Sequence, residues 1–170
     1  MNSVSQNGRN GPSLWEEIRT NSKLDYDNTK PQIIEALKKY DSHQYLINRL
    51  SKNGQRYLFY TVSEALKRDL PVELSLIPFI ESQFDPYAQS STGASGIWQF
   101  IPSTALENGL KKNWWYDARR DIVASTNAAY NFLVKLNEEH DDWLIAIAAY
   151  NAGPSLSLIH ISEPTRRYAI

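Results

Sequence analysis

Residues Pro71 to Pro102 read PVELSLIPFIESQFDPYAQSSTGASGIWQFIP, and this stretch decides the fold class. Its first half, to about Phe84, is apolar enough for a buried helix yet carries Glu73 and Glu81, and Pro86 closes it. Pro78 removes one backbone donor from that segment, which predicts a kink or a restart of the helix. The second half, Ser90 to Pro102, reads as a loop in which Gly93 and Gly96 permit tight turns or close backbone approach around Ser95.

Working outward, helical periodicity recurs and no segment alternates polar and apolar residues as a half-buried strand does. Upstream, Ile33, Ile34, Leu37 and Tyr40 follow Pro31 at a first-turn position, and Tyr45, Leu46 and Leu50 continue to the break at Asn53-Gly54. Leu58, Val62, Ala65 and Leu66 form a further apolar face ending before Pro71. Downstream, a long helix is predicted from Asp121 to His140, with Ile122, Thr126, Ala129, Leu133 and Leu136 on one side. A last apolar helix, Trp143 to Tyr150, stops at Asn151-Ala152-Gly153-Pro154. The expected fold class is all-α.

The composition bounds the function. The 170 residues carry a net charge of -1, are 42% hydrophobic and 22% charged, and suit one globular domain. The absence of cysteine excludes thiolate zinc sites, disulfides and a cysteine nucleophile. His43, His140 and His160 show no ligand spacing, so neither a metal nor a cofactor is expected. The 18 basic and 19 acidic residues are interspersed, which argues against nucleic acid as a partner. No run approaches the roughly 20 apolar residues of a membrane span. Residues 1 to 13 are rich in Asn, Ser and Gly, lack the pattern of a secretory signal, and read as a disordered segment. Aromatic residues make up 12%, which suits a core or a cleft that stacks flat ligands.

Glu81 is the outstanding ionisable residue. Leu76, Ile77, Phe79, Ile80 and Phe84 surround it in sequence, and it falls near a helix end. Desolvation and the negative end of the helix dipole both favour the protonated acid. A carboxyl tuned to about 6 can protonate a leaving oxygen near neutral pH. Pattern alone leaves open an exposed helix-end glutamate or a loop cap. Glu73 reads as a charge on the opening turn that helps the dipole, and Asp85, before Pro86, as the helix end. Asp117 and Asp121 read as caps or ion-pair partners for Arg119 and Arg120. Trp114 and Trp115, in KNWWYD, look exposed as a pair; one is expected to pin the loop and the other to border the cleft.

Three separated motifs then carry a resemblance: Glu81-Ser82-Gln83-Phe84 with Ser90, the run Gly93 to Pro102 (GASGIWQFIP), and Ala149-Tyr150-Asn151-Ala152-Gly153. In order and spacing they resemble the lytic transglycosylase signature. The flanks LWEEIR, RYLFYTVSEALKRDLPVELSLIPFIES, NWWYDARRDIVAST and WLIAIAAYNAG extend the likeness over about Leu14 to Pro154.

The resemblance implies a goose-lysozyme-like helical fold that cleaves the β-1,4 bond between N-acetylmuramic acid and N-acetylglucosamine in peptidoglycan glycan strands. Glu81 takes the family's role of acid then base, closing a 1,6-anhydro ring on the muramic residue without consuming water. Ser90, with Ser91 as a possible confusion, matches a serine near the acetamido group, and Gln99 a glutamine suited to sugar recognition, its alternative being a loop anchor. Tyr150 and Asn151 match a Tyr-Asn pair beside the catalytic carboxyl, and Trp98 either stacks on a sugar or packs in the core.

The domain reading is a helical extension over 14–70 packing on a catalytic core over 71–154, incomplete because the family's later helices and second cleft tyrosine are expected beyond it. LysM repeats are expected in a full-length protein, and its location is expected to be the periplasm or cell envelope. Residues 155–170, SLSLIHISEPTRRYAI, resemble a translated sequencing adapter and read as a non-native tail. The alternatives are a lysozyme-like muramidase and an inert glycan-binding fragment.

Overall fold

The computed structural model describes residues 13–25, 29–31, 34, 35, 38 and 54–152. Residues 1–12 of the start that the sequence reads as disordered, most of the predicted helical stretch from Ile33 to Leu50 and the residues after Ala152 lie outside the described residues. Six α-helices and one 3-10 helix are described, with isolated bridges but no strand among the described residues, so the all-α class holds.

Helix α1, Leu14–Thr20, opens on a reciprocal cap in which Ser13 and Glu16 satisfy each other's backbone amides. The chain after it is tied down by Glu73, whose Oε1 accepts from the backbone amides of Lys23 and Leu24, each at 2.9 Å, and from the Ser22 hydroxyl. Glu73 therefore does more than complement a helix dipole. Burial alone would raise its carboxyl pKa, but these donors outweigh burial and hold it below the usual range.

Helix α2, Gln55–Lys67, buries Leu58, Thr61, Val62 and Ala65, the spacing of one helical face. The next segment restarts at the predicted proline. A 3-10 helix, Val72–Leu76, gives way to helix α3, Ile77–Ser82, with Pro78 in its first turn, where a missing N–H costs nothing. Helix α3 ends earlier than the sequence suggests. Gln83 and Phe84 both take left-handed backbone, φ 55° and 59°, and their amides return to Phe79 and Pro78 carbonyls. Asp85 does not end the helix; its carboxylate accepts from the Tyr87 amide at 2.9 Å and shapes the following turn.

Residues 85–101 form a compact loop with bridges Gln89–Ser95 and Ser95–Phe100. Helix α4, Pro102–Glu107, follows and was not anticipated, being too short to show periodicity. Helix α5, Ile122–His140, is capped by Asp121, which accepts from the Ala124 amide at 2.9 Å, and it buries Thr126, Ala129, Leu133 and Leu136 as predicted. Helix α6, Trp143–Ala152, packs along α5 and extends two residues past the predicted end. The core lies between α2, α3, α5 and the loop, with Trp98 and Tyr130 edge to face at a 5.3 Å centroid separation.

Gly96 marks the tightest approach. At φ +83°, a Cβ built on it would lie 1.8 Å from the Arg119 carbonyl oxygen, a backbone atom that cannot step aside. Gly96→Ala is expected to cost more than about 4 kcal/mol, read as a shift in the urea midpoint. A cooperative variant within about 1 kcal/mol of the parent would contradict this packing.

Candidate active site

Glu81 sits on the last turn of α3, half-buried, beside a cavity of about 210 Å³ that it lines with Gln99, Phe100, Phe132, Tyr150 and Asn151. Burial pushes its carboxyl above the ordinary 4.5. Among the described residues no hydrogen bond or ion pair engages this carboxyl, and no second carboxylate lines the cavity. The sequence-level alternative of a loop-capping glutamate therefore has no support.

Tyr150 is brought to the site by α6. Its hydroxyl donates to the Trp98 carbonyl at 2.7 Å, and its ring meets Trp98, Phe100 and Phe132. Burial first, and then the nearby Glu81 charge, raise the Tyr150 hydroxyl well above its ordinary value. Both residues line the same cavity. Asn151 is exposed at the cavity edge.

Gln99 lines the cavity from a left-handed backbone position, φ 49°. Its Nε2 donates to the Gly96 carbonyl at 2.7 Å and the Ala88 carbonyl at 3.3 Å, so the amide anchors the loop and keeps only its oxygen for a ligand.

Of its two readings Trp98 takes the core one, and Ser90 lies outside the cavity lining. Trp98 is 0% exposed, and its Nε1 donates to Thr126 Oγ1 at 3.0 Å, so it is a core residue whose faces no sugar can reach. Indole pairing with a buried hydroxyl requires a tertiary partner that sequence cannot assign. Ser90 is not brought to the cavity; its hydroxyl pairs with Thr92 Oγ1 at 2.9 Å and accepts from the Ala94 amide at 3.0 Å, folding its own loop.

Trp114 and Trp115 are exposed as the sequence suggests, but the roles expected of them are corrected. Neither pins the loop: they are 88% and 90% exposed, and they line a second concavity that shares no residue with the Glu81 cavity. Asp117 and Asp121 act structurally, as expected. Asp117 grips Arg119 with two bonds, of 2.9 and 2.7 Å, and this pairing holds its carboxyl below the usual range.

Sequence reasoning missed the apolar side of the cavity and the device that holds its loop. Phe132 lies off the fully buried face of α5, and the only available signal was an aromatic residue flanking that face. Arg119 looked like an ion-pair partner alone. It also donates through Nη1 to the Gly93 carbonyl at 2.7 Å and the Phe100 carbonyl at 3.2 Å.

The raised Glu81 pKa has a consequence for stability. The folded state binds this proton more tightly than the unfolded chain, so its contribution is complete below pH 4.5 and is lost as pH rises through the folded pKa. Glu81→Gln is expected to melt at a higher temperature than the parent at neutral pH. That gap should close as the pH falls below 4.5, and a gap independent of pH in thermal melts would rule out a desolvated carboxyl.

Residues 61–166 match the family described as Transglycosylase SLT domain, a match running past Pro154. The chain is 42% identical over 141 residues to membrane-bound lytic murein transglycosylase D of Escherichia coli (strain K12), covering 82% of this chain and 31% of that protein. A protein of Alteromonas sp. (strain M-1) named for tributyltin chloride resistance is 45% identical over 114 residues, covering 66% of this chain and 55% of that one. Membrane-bound lytic murein transglycosylase F of Desulfosudis oleivorans is 34% identical over 87 residues, covering 47% of this chain and 18% of that one. The chain thus spans about a third of the length of the transglycosylase D protein. Because the family match takes in every described residue that lines the Glu81 cavity, and more than half of the chain, this protein belongs to the transglycosylase SLT domain family and has its all-α, lysozyme-like fold.

Proposed function

We propose that this chain is a peptidoglycan lytic transglycosylase. It cleaves the β-1,4 bond between N-acetylmuramic acid and N-acetylglucosamine, with Glu81 serving as both acid and base. The single observation that carries this reading is a half-buried, unpaired carboxyl with a raised pKa in a cavity that holds no second carboxylate. A conventional glycosidase needs two, about 5 Å apart for retention or about 6.5 to 9.5 Å for inversion. The family membership and the relatives' names support the same reading.

In this mechanism protonated Glu81 gives its proton to the glycosidic oxygen as the bond from muramic C1 breaks. The substrate's own acetamido oxygen supports the cationic C1. Glu81, now a carboxylate, takes the proton of the C6 hydroxyl, whose oxygen bonds to C1 and closes the 1,6-anhydro ring. The proton count returns to its start and no water enters. Phe100, Ile101 and Phe132 give the cavity an apolar wall that disfavours water, the reagent a muramidase would need. Tyr150, its proton committed to the Trp98 carbonyl, holds the wall beside the acid. Gln99 offers its amide oxygen, and Asn151 its whole amide, to sugar hydroxyl and acetamido groups.

The partner is the glycan strand, and the site of action is the cell envelope, in the periplasm. Among the described residues no helix is long and apolar enough to cross a membrane.

Digestion of purified sacculi followed by mass spectrometry is expected to yield muropeptides ending in 1,6-anhydromuramic acid. Reducing ends bearing an added water would overturn the reading in favour of a muramidase, and no products at all in favour of an inert glycan-binding fragment. Glu81→Gln is expected to lower turnover by about 10²- to 10⁴-fold while retaining most glycan binding, since shape is kept and only the transferable proton is lost. The rate is expected to fall as pH rises through the elevated Glu81 pKa, because only the protonated form starts the reaction; a pH–rate profile flat into alkaline conditions would exclude Glu81 as the acid.

A further inference from the structure

A second concavity, of about 600 Å³, is lined in part by Pro86, Tyr87 and Gln89 of the 85–101 loop and shares no lining residue with the Glu81 cavity. Its aromatic lining residues are Tyr57, Tyr87, which is 75% exposed, Trp114, Trp115 and Tyr116. Nothing among the described residues covers the two indoles, which meet edge to face at a 6.5 Å centroid separation. Leaving two tryptophans in water forgoes the burial that a core position would supply, and clustered exposed aromatics mark interaction surfaces.

The segment that carries them is built rather than loose. Asn113 Oδ1 accepts from the Trp115 and Tyr116 amides at 2.9 and 2.8 Å, and the Asn113 amide donates to the Tyr116 carbonyl at 2.8 Å. The Tyr116 hydroxyl donates to Asp121 Oδ2 at 2.9 Å. The indoles are thus presented from a fixed backbone, which lowers the ordering cost of binding.

The polar residues around this floor narrow the class of ligand. Gln89 and Arg120 stand at its edge, and Arg120 donates to Ser95 Oγ at 3.1 Å and reaches Gln89 Oε1 at 3.5 Å. Asp117 is committed to Arg119 and lies 3.9 Å from Lys112, whereas Arg120 has no carboxylate partner among the described residues. An exposed guanidinium without a counter-charge suits an anionic ligand. A pyranose ring offers an apolar C–H face for an indole and a rim of hydroxyls for amides and guanidinium groups. A flat lipid surface could take the two indoles alone, whereas a glycan strand can also meet Gln89 and Arg120 in the same hollow.

We propose that the Trp114–Trp115 concavity is a second glycan-binding site, holding a carboxylate-bearing segment of peptidoglycan away from the point of cleavage. This deepens the proposed function and rests on it for the identity of the glycan. The two sites share the 85–101 loop: Gln89 lines the concavity, while the neighbouring Ala88 carbonyl holds the Gln99 amide of the cavity. A strand engaged at one site would raise the local concentration of glycan at the other.

The test uses the full chain carrying Glu81→Gln, so that binding is read without cleavage. Its retention on purified sacculi is compared with that of the same chain also carrying Trp114→Ala and Trp115→Ala, and binding to phosphatidylethanolamine–phosphatidylglycerol vesicles is measured in parallel. The expected result is about a tenfold weaker hold on sacculi, the scale of losing an aromatic anchor, with little change on vesicles. The melting temperature should barely move, because side chains so exposed contribute little burial. A smaller loss with Arg120→Gln, one that vanishes at high salt because screening weakens the parent's hold as well, would support the anionic part of the assignment.

Unchanged retention on sacculi overturns the proposal, as does a loss confined to vesicles, which would make the patch a membrane contact. Product analysis of the unsubstituted chain keeps the two readings apart. Anhydro products with unchanged retention leave the function standing without this site, whereas weakened retention with no products leaves a glycan-binding site without the function.

Discussion

One buried guanidinium sets the geometry on which the site depends. Arg119, 4% exposed, grips Asp117 with two nitrogens and spends a third on the carbonyls of Gly93 and Phe100. A buried charge is tolerable only when paired and fully hydrogen-bonded, and here the pairing also closes the two ends of the 93–100 loop against the start of α5. Gly96 lets the loop press onto the Arg119 backbone, and Ser82 donates to the Ile97 carbonyl at 2.9 Å from the α3 side. Held at these points, the loop drives Trp98 into the core and leaves Gln99 and Phe100 at the cavity.

The hydrogen-bonding economy of this loop contrasts with that of Glu81. Trp98, Tyr130, Tyr150 and Gln99 each find a protein partner, and Tyr130 donates to the Thr61 carbonyl at 2.7 Å. The Glu81 carboxyl finds none among the described residues, although it is half-buried. Gln99 and Tyr150, which line the cavity with Glu81, turn their donors to backbone carbonyls instead, and the carboxyl keeps the raised pKa that burial gives it. Glu73 shows the opposite arrangement: a carboxylate of similar sequence surroundings, supplied with three donors, is kept ionised and serves as a tether for residues 22–24.

Much of this was legible in the sequence, unevenly. The spacing of Thr126, Ala129, Leu133 and Leu136 predicted the buried face of α5, and Pro78 predicted the restart before α3, because periodicity and proline act locally. Glu81 stood out through its apolar neighbours, and Tyr150 and Asn151 through their motif. Helix α4 escaped because six residues give less than two turns of pattern. The burial of Trp98 and the local pairing of Ser90 were not legible for one common reason: a motif fixes which residues lie near one another in the chain, but not toward which side of a loop each side chain turns.

By itself the sequence determined the helical class, the isolated acid and the family motifs, since residue type and short-range spacing suffice for these. Only the tertiary structure decided that Trp98 is a core pillar, that Arg119 clasps the loop, that Gln99 spends its amide protons on backbone, and that Trp114 and Trp115 line a separate hollow. Each of those outcomes depends on which atoms from distant parts of the chain meet within hydrogen-bond or van der Waals range, and that information is absent from any local pattern.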